Sequence, residues 1–173
     1  MRHRGQARDH RHRTRGNDVK RLIARLWRAI HGPMQWRLLW LVHATFMVGV
    51  TGIVRDSEGR VLLLKHRLWP EGRQWGLPSG YAKRSETFED TVAREVREET
   101  GLEVRAHRLV LLKSGFRLRV EVVYEAEFLG GTLRTDGFEI LEAGWFSPDD
   151  LPEGLQEGHR LLIRGETTRP ATP

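Results

Sequence analysis

The chain has 173 residues, no cysteine and a formal net charge of +6. That length suits one domain with a proper hydrophobic core plus an extension, and the missing cysteines exclude disulfides, thiolate metal sites and cysteine nucleophiles. The charge is uneven: residues 1–45 carry eleven Lys/Arg against Asp9 and Asp18, whereas residues 46–173 carry eighteen against twenty-one acidic residues.

The basicity therefore belongs to the N-terminal segment. Residues 2–16, "RHRGQARDHRHRTRG", hold six arginines and three histidines and nothing that builds a core. Residues 1–17 read as a disordered arm, either a solvated tail or a contact for phosphates of nucleic acid or lipid. Residues 18–45 read as a helical extension, because Val19, Leu22, Ile23, Leu26, Trp27 and Ile30 recur at helical spacing. Gly32-Pro33 breaks that helix, and a second short one starts near Met34. The uncharged run Leu38–Val54 is barely long enough to cross a bilayer and is interrupted by His43, Thr45 and two glycines. A weak membrane-surface contact through Trp27, Trp36, Trp40 and the arginines competes with packing on the domain or at a homodimer interface. The absence of cysteine and of a signal sequence suits a cytoplasmic protein.

From residue 46 the pattern changes. "FMVGVTGIVRD" and "RVLLLKH" read as strands joined by a turn at Ser57–Gly59, and "RLWPEGRQ" as a polar loop. "WGLPSG" is a short extended piece ahead of one strong helix. "EVRAHRLVLLKSG" and "FRLRVEVVYEAEFLG" read as strands, the second with Leu118, Val120 and Val122 on one side. Gly130-Gly131 reads as a turn, Trp145 as the centre of another strand, and "EGLQEGHRLLIRG" as a closing helix. Strands on both sides of a central helix predict a mixed α/β domain over residues 46–165, with residues 166–173 as a tail.

The central helix carries the chemistry. Thr87 with Asp90 three residues on predicts an N-cap, and Gly101 predicts a left-handed C-terminal stop. Phe88, Val92 and Val96 fall on one arc, with Ala93 beside it, and that arc predicts the core face. Glu95, Glu98 and Glu99 fall on an adjoining arc, where partial burial makes unpaired charge costly. Arg94 is spaced to neutralise one acidic neighbour at a time. A charged surface helix would explain such a pattern, but a hard divalent cation explains the convergence better, since magnesium takes one or two carboxylates with waters and substrate phosphates.

Residues 80–102, "GYAKRSETFEDTVAREVREETGL", resemble the signature of the Nudix hydrolase family, G-x5-E-x7-R-E-U-x-E-E-x-G-U, where U is a bulky apolar residue. Gly80, Glu86, Arg94, Glu95, Val96, Glu98, Glu99, Gly101 and Leu102 match it at the required spacing. Ser79 departs by replacing the first glycine of the family's usual pair. The resemblance implies a Nudix fold, a mixed β-sheet sandwiched between helices, and Mg²⁺-dependent hydrolysis, with Mn²⁺ as a substitute, of a nucleoside diphosphate linked to another moiety. It implies Glu95 and Glu99 as metal ligands, Glu98 as a ligand or the base, the Gly80 carbonyl as a further ligand, Arg94 as the group that orients the glutamates, and Glu86 as a support of the loop or of the metal's surroundings. An acidic loop residue before a tryptophan strand often adds to such a site; Glu139 matches that position, with Glu142 as the alternative.

The substrate is less legible. Phe46, Lys65, Arg67 and Arg73, with Trp69 and Trp75, are candidates for base, sugar or phosphate contact. A nucleoside triphosphate, ordinary or oxidised, and an ADP-ribose or nucleotide-sugar type of substrate both fit. The alternatives are an RNA 5′ pyrophosphohydrolase that uses the basic arm and a non-catalytic nucleotide-sensing module. Salt dependence discriminates the first, and the intact glutamate motif argues against the second.

Overall fold

In a computed structural model, the structure describes residues 20, 25, 32–42, 45–114, 118–135 and 137–166. The arginine-rich arm, most of the first expected helix and all of the tail beyond Glu166 lie outside the described residues. Two units emerge, residues 1–45 and 46–173. In the first, helix α1 spans Gly32–Val42 and begins at the expected Gly-Pro break. Met34, Trp40 and Leu41 on it are exposed. No helix among the described residues is long and apolar enough to cross a membrane. The uncharged run is instead divided, with α1 ending at Val42 and a strand starting at Met47.

The second unit is built on one mixed sheet. Its strands are β1 (Met47–Arg55), β2 (Val61–His66), β3 (Trp75–Gly76), β4 (Ser79–Tyr81), β5 (Leu102–Ser114), β6 (Arg119–Gly131) and β7 (Ile140–Phe146). The order is β3-β2-β1-β6-β5, with β4 on β1 and β7 on β2. Among these described strand pairs β1–β6 is parallel and the others are antiparallel. Helices α2 (Phe88–Thr100) and α3 (Glu157–Ile163) complete the unit.

Two apolar clusters follow from the strand period of two. Val50, Val54, Leu62, Leu64, Val122 and Tyr124 pack with Val92 and Val96 of α2. Ile53, Val61, Leu63 and Val123 point the other way and pack with Trp75, Leu77, Leu155 and Ile163 of α3. The sheet is thus covered on both faces. Gly52 is required for this: a Cβ there would stand 2.7 Å from Val92 Cγ1, so α2 approaches the β1 backbone closely.

Two expectations are corrected. Gly130 and Gly131 are not a turn but the end of β6, paired with Glu103 and Leu102; the antiparallel ladder continues because neither glycine breaks its hydrogen bonding. Leu118 does not share a face with Val120 and Val122, since it precedes β6 at φ 55° and is exposed.

Candidate active site

Helix α2 is delimited as its sequence dictates. Thr87 Oγ1 accepts the amide of Asp90 at 3.1 Å, and the Thr87 hydroxyl donates to Asp90 Oδ2 at 2.7 Å. Gly101 closes the helix at φ 70°, its N–H donating to the Arg97 carbonyl. The left-handed conformation costs glycine little and other residues more.

Within that frame Arg94 is the organising cation. Its Nε donates to Glu86 Oε1 at 2.7 Å and Nη2 to Glu86 Oε2 at 3.0 Å, a bidentate fork. Nη1 donates to Glu95 Oε1 at 2.7 Å and to Glu98 Oε2 at 3.1 Å, and Nη2 also reaches the Tyr81 carbonyl at 3.1 Å. All five guanidinium donors are used. This overturns the expectation of one neutralised partner at a time. A fork can serve several carboxylates at once because its donors diverge in a fixed plane. Asp90, four residues before Arg94, is engaged with the cap instead.

Glu86 is tied further by the Lys83 amide at 3.1 Å and the Thr91 hydroxyl at 2.9 Å. The Arg94 hydrogen bond, followed by the Lys83 amide, holds its pKa down at about 2. The same network raises the pKa of Arg94 above its ordinary value, chiefly through Glu86. Glu86 thereby fixes the loop between β4 and α2, where Ser85 holds φ 67°.

Gly80 makes the next contact possible. A Cβ there would lie 1.9 Å from the Glu95 carboxylate, so Glu95 rests directly on the β4 backbone. Ser79 beside it pairs with Thr51 in an ordinary strand conformation, so nothing about this backbone demands a second glycine.

The helix's remaining glutamates part company. Glu98 is 53 % exposed and lies 3.8 Å from Lys83 Nζ. Glu99 is 8 % exposed, and it lines a cavity of about 430 Å³ together with Gly80, Tyr81, Glu139, Arg119, His66 and Trp69. Glu139 enters from the residue before β7, and its carbonyl accepts the Arg67 amide at 2.9 Å. Glu142 points elsewhere, 3.9 Å from Lys65 Nζ. Among the described residues no three Asp, Glu or His side chains converge into a ready-made metal cage. Glu99 and Glu139 bring two carboxylates to the cavity wall, hard oxygens of the type magnesium prefers. A magnesium ion that keeps waters and takes substrate phosphates needs few protein ligands.

The substrate candidates divide. Trp69 lines the cavity. Arg67 is committed to the loop, its Nε and Nη2 donating to the carbonyls of Phe138 and Gly137, which steadies the segment that carries Glu139. Lys65 pairs with Glu142, Trp75 is core, and neither Phe46 nor Arg73 lines the cavity. Tyr81, Arg119, His66 and Gln156 line it without having been singled out. Tyr81 was foreseeable as the neighbour of Gly80. Arg119 was not, since only the parallel register of β1 and β6 brings its guanidinium to Gly49 and, at 3.3 Å, to the Tyr81 hydroxyl.

His66 stacks on Trp69 at 3.7 Å between centroids. Trp69 also covers Gly76, where no Cβ would fit, and His159 Nδ1 accepts the Leu77 amide at 3.0 Å. Burial, then the neighbouring His159, lowers the His66 pKa to about 4, and burial alone lowers that of His159 to about 4. Both imidazoles are neutral at physiological pH.

The NUDIX domain family matches residues 45–165. A MutT-like protein of Streptomyces ambofaciens is 35% identical over 117 residues, 67% of this chain and 73% of its own length. The NAD-capped RNA hydrolase NudC of Mycobacterium tuberculosis is 35% identical over 115 residues, 61% of this chain; the match spans only 34% of that protein. The crystal structure of an ADP-ribose pyrophosphatase from Streptococcus suis superposes with a TM-score of 0.56 at 28% identity, covering 70% of this chain and 91% of that one.

Proposed function

Because the chain belongs to the Nudix hydrolase family, whose members act on nucleotides and generally use divalent metal ions, we propose that it is a magnesium-dependent pyrophosphohydrolase of nucleoside diphosphates linked to a second moiety. One observation carries this reading: a buried carboxylate, Glu99, opens onto a cavity beside Gly80 and Glu139, while Arg94 holds Glu86, Glu95 and Glu98. The similarity to an ADP-ribose pyrophosphatase and to an NAD-capped RNA hydrolase supports the substrate class.

Glu99, Glu95 and the Gly80 carbonyl would hold the metal, with Glu98 beside them. When bound, the ion would offset the acidic site's repulsion of a diphosphate and polarise its phosphoryl oxygens. The chain's own groups do the rest. Arg94 and Gly80 fix the Glu95 carboxylate in place before substrate arrives, which is the positioning that phosphoryl transfer needs. Glu139, on the cavity wall, takes the proton of the attacking water. The water oxygen bonds to phosphorus, the bond from that phosphorus to the bridging oxygen breaks, and the bridging oxygen leaves with the electron pair. A diphosphate with an organic group on each phosphorus gives two phosphomonoesters, and a nucleoside triphosphate gives a nucleoside monophosphate and pyrophosphate.

The test is product release from ADP-ribose, nucleotide sugars, NAD and ordinary or oxidised nucleoside triphosphates, with and without Mg²⁺, against Glu99→Gln. Metal-dependent turnover silent in the variant supports the reading, and no turnover by folded, metal-supplied protein refutes it. The NudC similarity favours a second reading, cleavage at a capped RNA 5′ end assisted by the basic residues of 1–45. That reading requires affinity for capped RNA that falls steeply with salt and is lost on deleting residues 2–16.

A further inference from the structure

A second cavity of about 330 Å³ adjoins the first. The two share Gly49, Thr51, Trp69, Ser79, Arg119 and Gln156 as lining, so they are chambers of one cleft with a common waist. The first chamber holds Glu99, Glu139 and Gly80. The second is bounded by Leu111, Leu161 and Leu162 and carries Lys113, His159 and Glu166. Each chamber falls within the size of a small-molecule site, and the second has the mixture such sites use, apolar walls with a few convergent polar groups.

At the waist stands Arg119. Its guanidinium lies over Gly49, where a Cβ would come within 3.0 Å of Nη2. Nη1 donates to the Tyr81 hydroxyl at 3.3 Å, and Glu121 Oε1 lies 3.6 Å from Nε. Among the described residues Arg119 is the one formal cation lining the first chamber, and a planar fork there suits phosphate oxygens. Beyond it the acidic side prevails, with Lys113 set against Glu121 and Glu166. Such a chamber does not favour a further phosphate. It suits an uncharged, hydroxyl-bearing ring that offers an apolar face to leucines and hydroxyls to the polar rim.

We infer that the cleft is built for a two-armed substrate, in which the diphosphate lies at the waist under Arg119 and a second sugar or nucleoside occupies the chamber of Leu111, Leu162 and Lys113. This deepens the proposed hydrolase reading and rests on it for the chemistry, but not for its test. A nucleoside triphosphate has no second ring to place there and would leave that chamber to water.

Binding of non-hydrolysable methylene-bridged analogues, measured by calorimetry with Mg²⁺ present, reads the inference without turnover. The analogues are those of ADP-ribose, of diadenosine diphosphate and of ADP. Expected is that one of the first two binds at least about tenfold tighter than the ADP analogue; which one wins tells a sugar from a nucleoside. Gly158→Trp fills the second chamber from α3, where an added Cβ meets nothing within 4 Å. It should abolish that advantage while leaving the ADP analogue and Tm unchanged. Arg119→Ala should weaken all three alike, with partial rescue in Arg119→Lys. Equal affinity for all three analogues, affinity for none, or an advantage that survives in a folded Gly158→Trp protein overturns the inference. Failure of the hydrolase reading would show separately, as absent product release from the natural substrates.

Discussion

Glu95 and Glu99 stand one helical turn apart on α2, yet their surroundings differ. Glu95 is gripped by Arg94 and laid against Gly80, part of a cluster in which a single guanidinium serves Glu86, Glu95 and Glu98. Glu99 is the more deeply buried and faces the cavity. The helix thus separates carboxylates bound up in the Arg94 network from one that faces the cavity. The separation follows from geometry: the fork of Arg94 covers its neighbours at i+1 and i+4, while Glu99, at i+5, points away from it.

The largest effect that would break this contrast is on turnover. Glu99→Gln should lower kcat on the order of a hundredfold to a thousandfold, by analogy with removing one group that acts on transition-state charge. Its Tm should hold or rise, because an amide no longer confines a charge in a buried place. A large fall in Tm would show that Glu99 serves the scaffold, as the Arg94 cluster does. Arg94→Ala should do the opposite to stability. It strands three carboxylates beside a helix, and Arg94 is only 12 % exposed, so Tm should fall on the order of 10 °C. Arg94→Lys should rescue little, since an ammonium cannot span the bidentate contact to Glu86 and still reach Glu95. Unchanged thermal denaturation in Arg94→Ala would show the network to be incidental.

A smaller effect sharpens the link between the two regions. Gly80→Ala drives a methyl into the Glu95 carboxylate, which must shift away from Arg94. About 1–3 kcal/mol of stability should be lost, together with part of the turnover, visible in urea denaturation and in kcat on the same preparation. The backbone needs no left-handed conformation here. Any loss therefore reports the close approach alone.

The scaffold side of this contrast was legible in the sequence, and the cleft largely was not. Thr87, Gly101 and the Phe88–Val92–Val96 stripe are local features, fixed by spacing within one helix, and the structure has them as the spacing dictates. The motif from Gly80 to Leu102 pointed to the family for the same reason. What was missed depends on contacts far apart in the chain. Arg119 reaches Tyr81 and Gly49 only through the β1–β6 register, and His159 comes up to Trp69 and the Leu77 amide only once α3 packs near β3. The cationic candidates lie off the cavity wall for the complementary reason. Arg67 and Lys65 are near the right strand ends, but the loop of Phe138 and the side chain of Glu142 claim them. Residue type and position along a strand do not reveal which partner arrives first.

The histidines give the smallest expected effect. His66 and His159 both have a pKa near 4 in the folded chain, chiefly through burial, against an ordinary value of 6.5. Between those values the unfolded chain binds more protons than the folded one, so stability rises with pH there. Their contribution is whole above about pH 6.5 and is lost progressively as pH falls towards 4. Glu86 loses its own contribution only lower, between its ordinary value of 4.5 and about 2, so the two windows are separable. His66→Phe keeps an aromatic ring on Trp69 and removes one titrating group. Its Tm should therefore fall less steeply than that of the unaltered chain between pH 6.5 and 4, and the curves should run parallel below 4. In the unaltered chain the imidazole proton resonances should titrate near pH 4. Midpoints near 6.5 would mean that water reaches both rings, and the wall they form between β2 and α3 would then be an open mouth of the cleft.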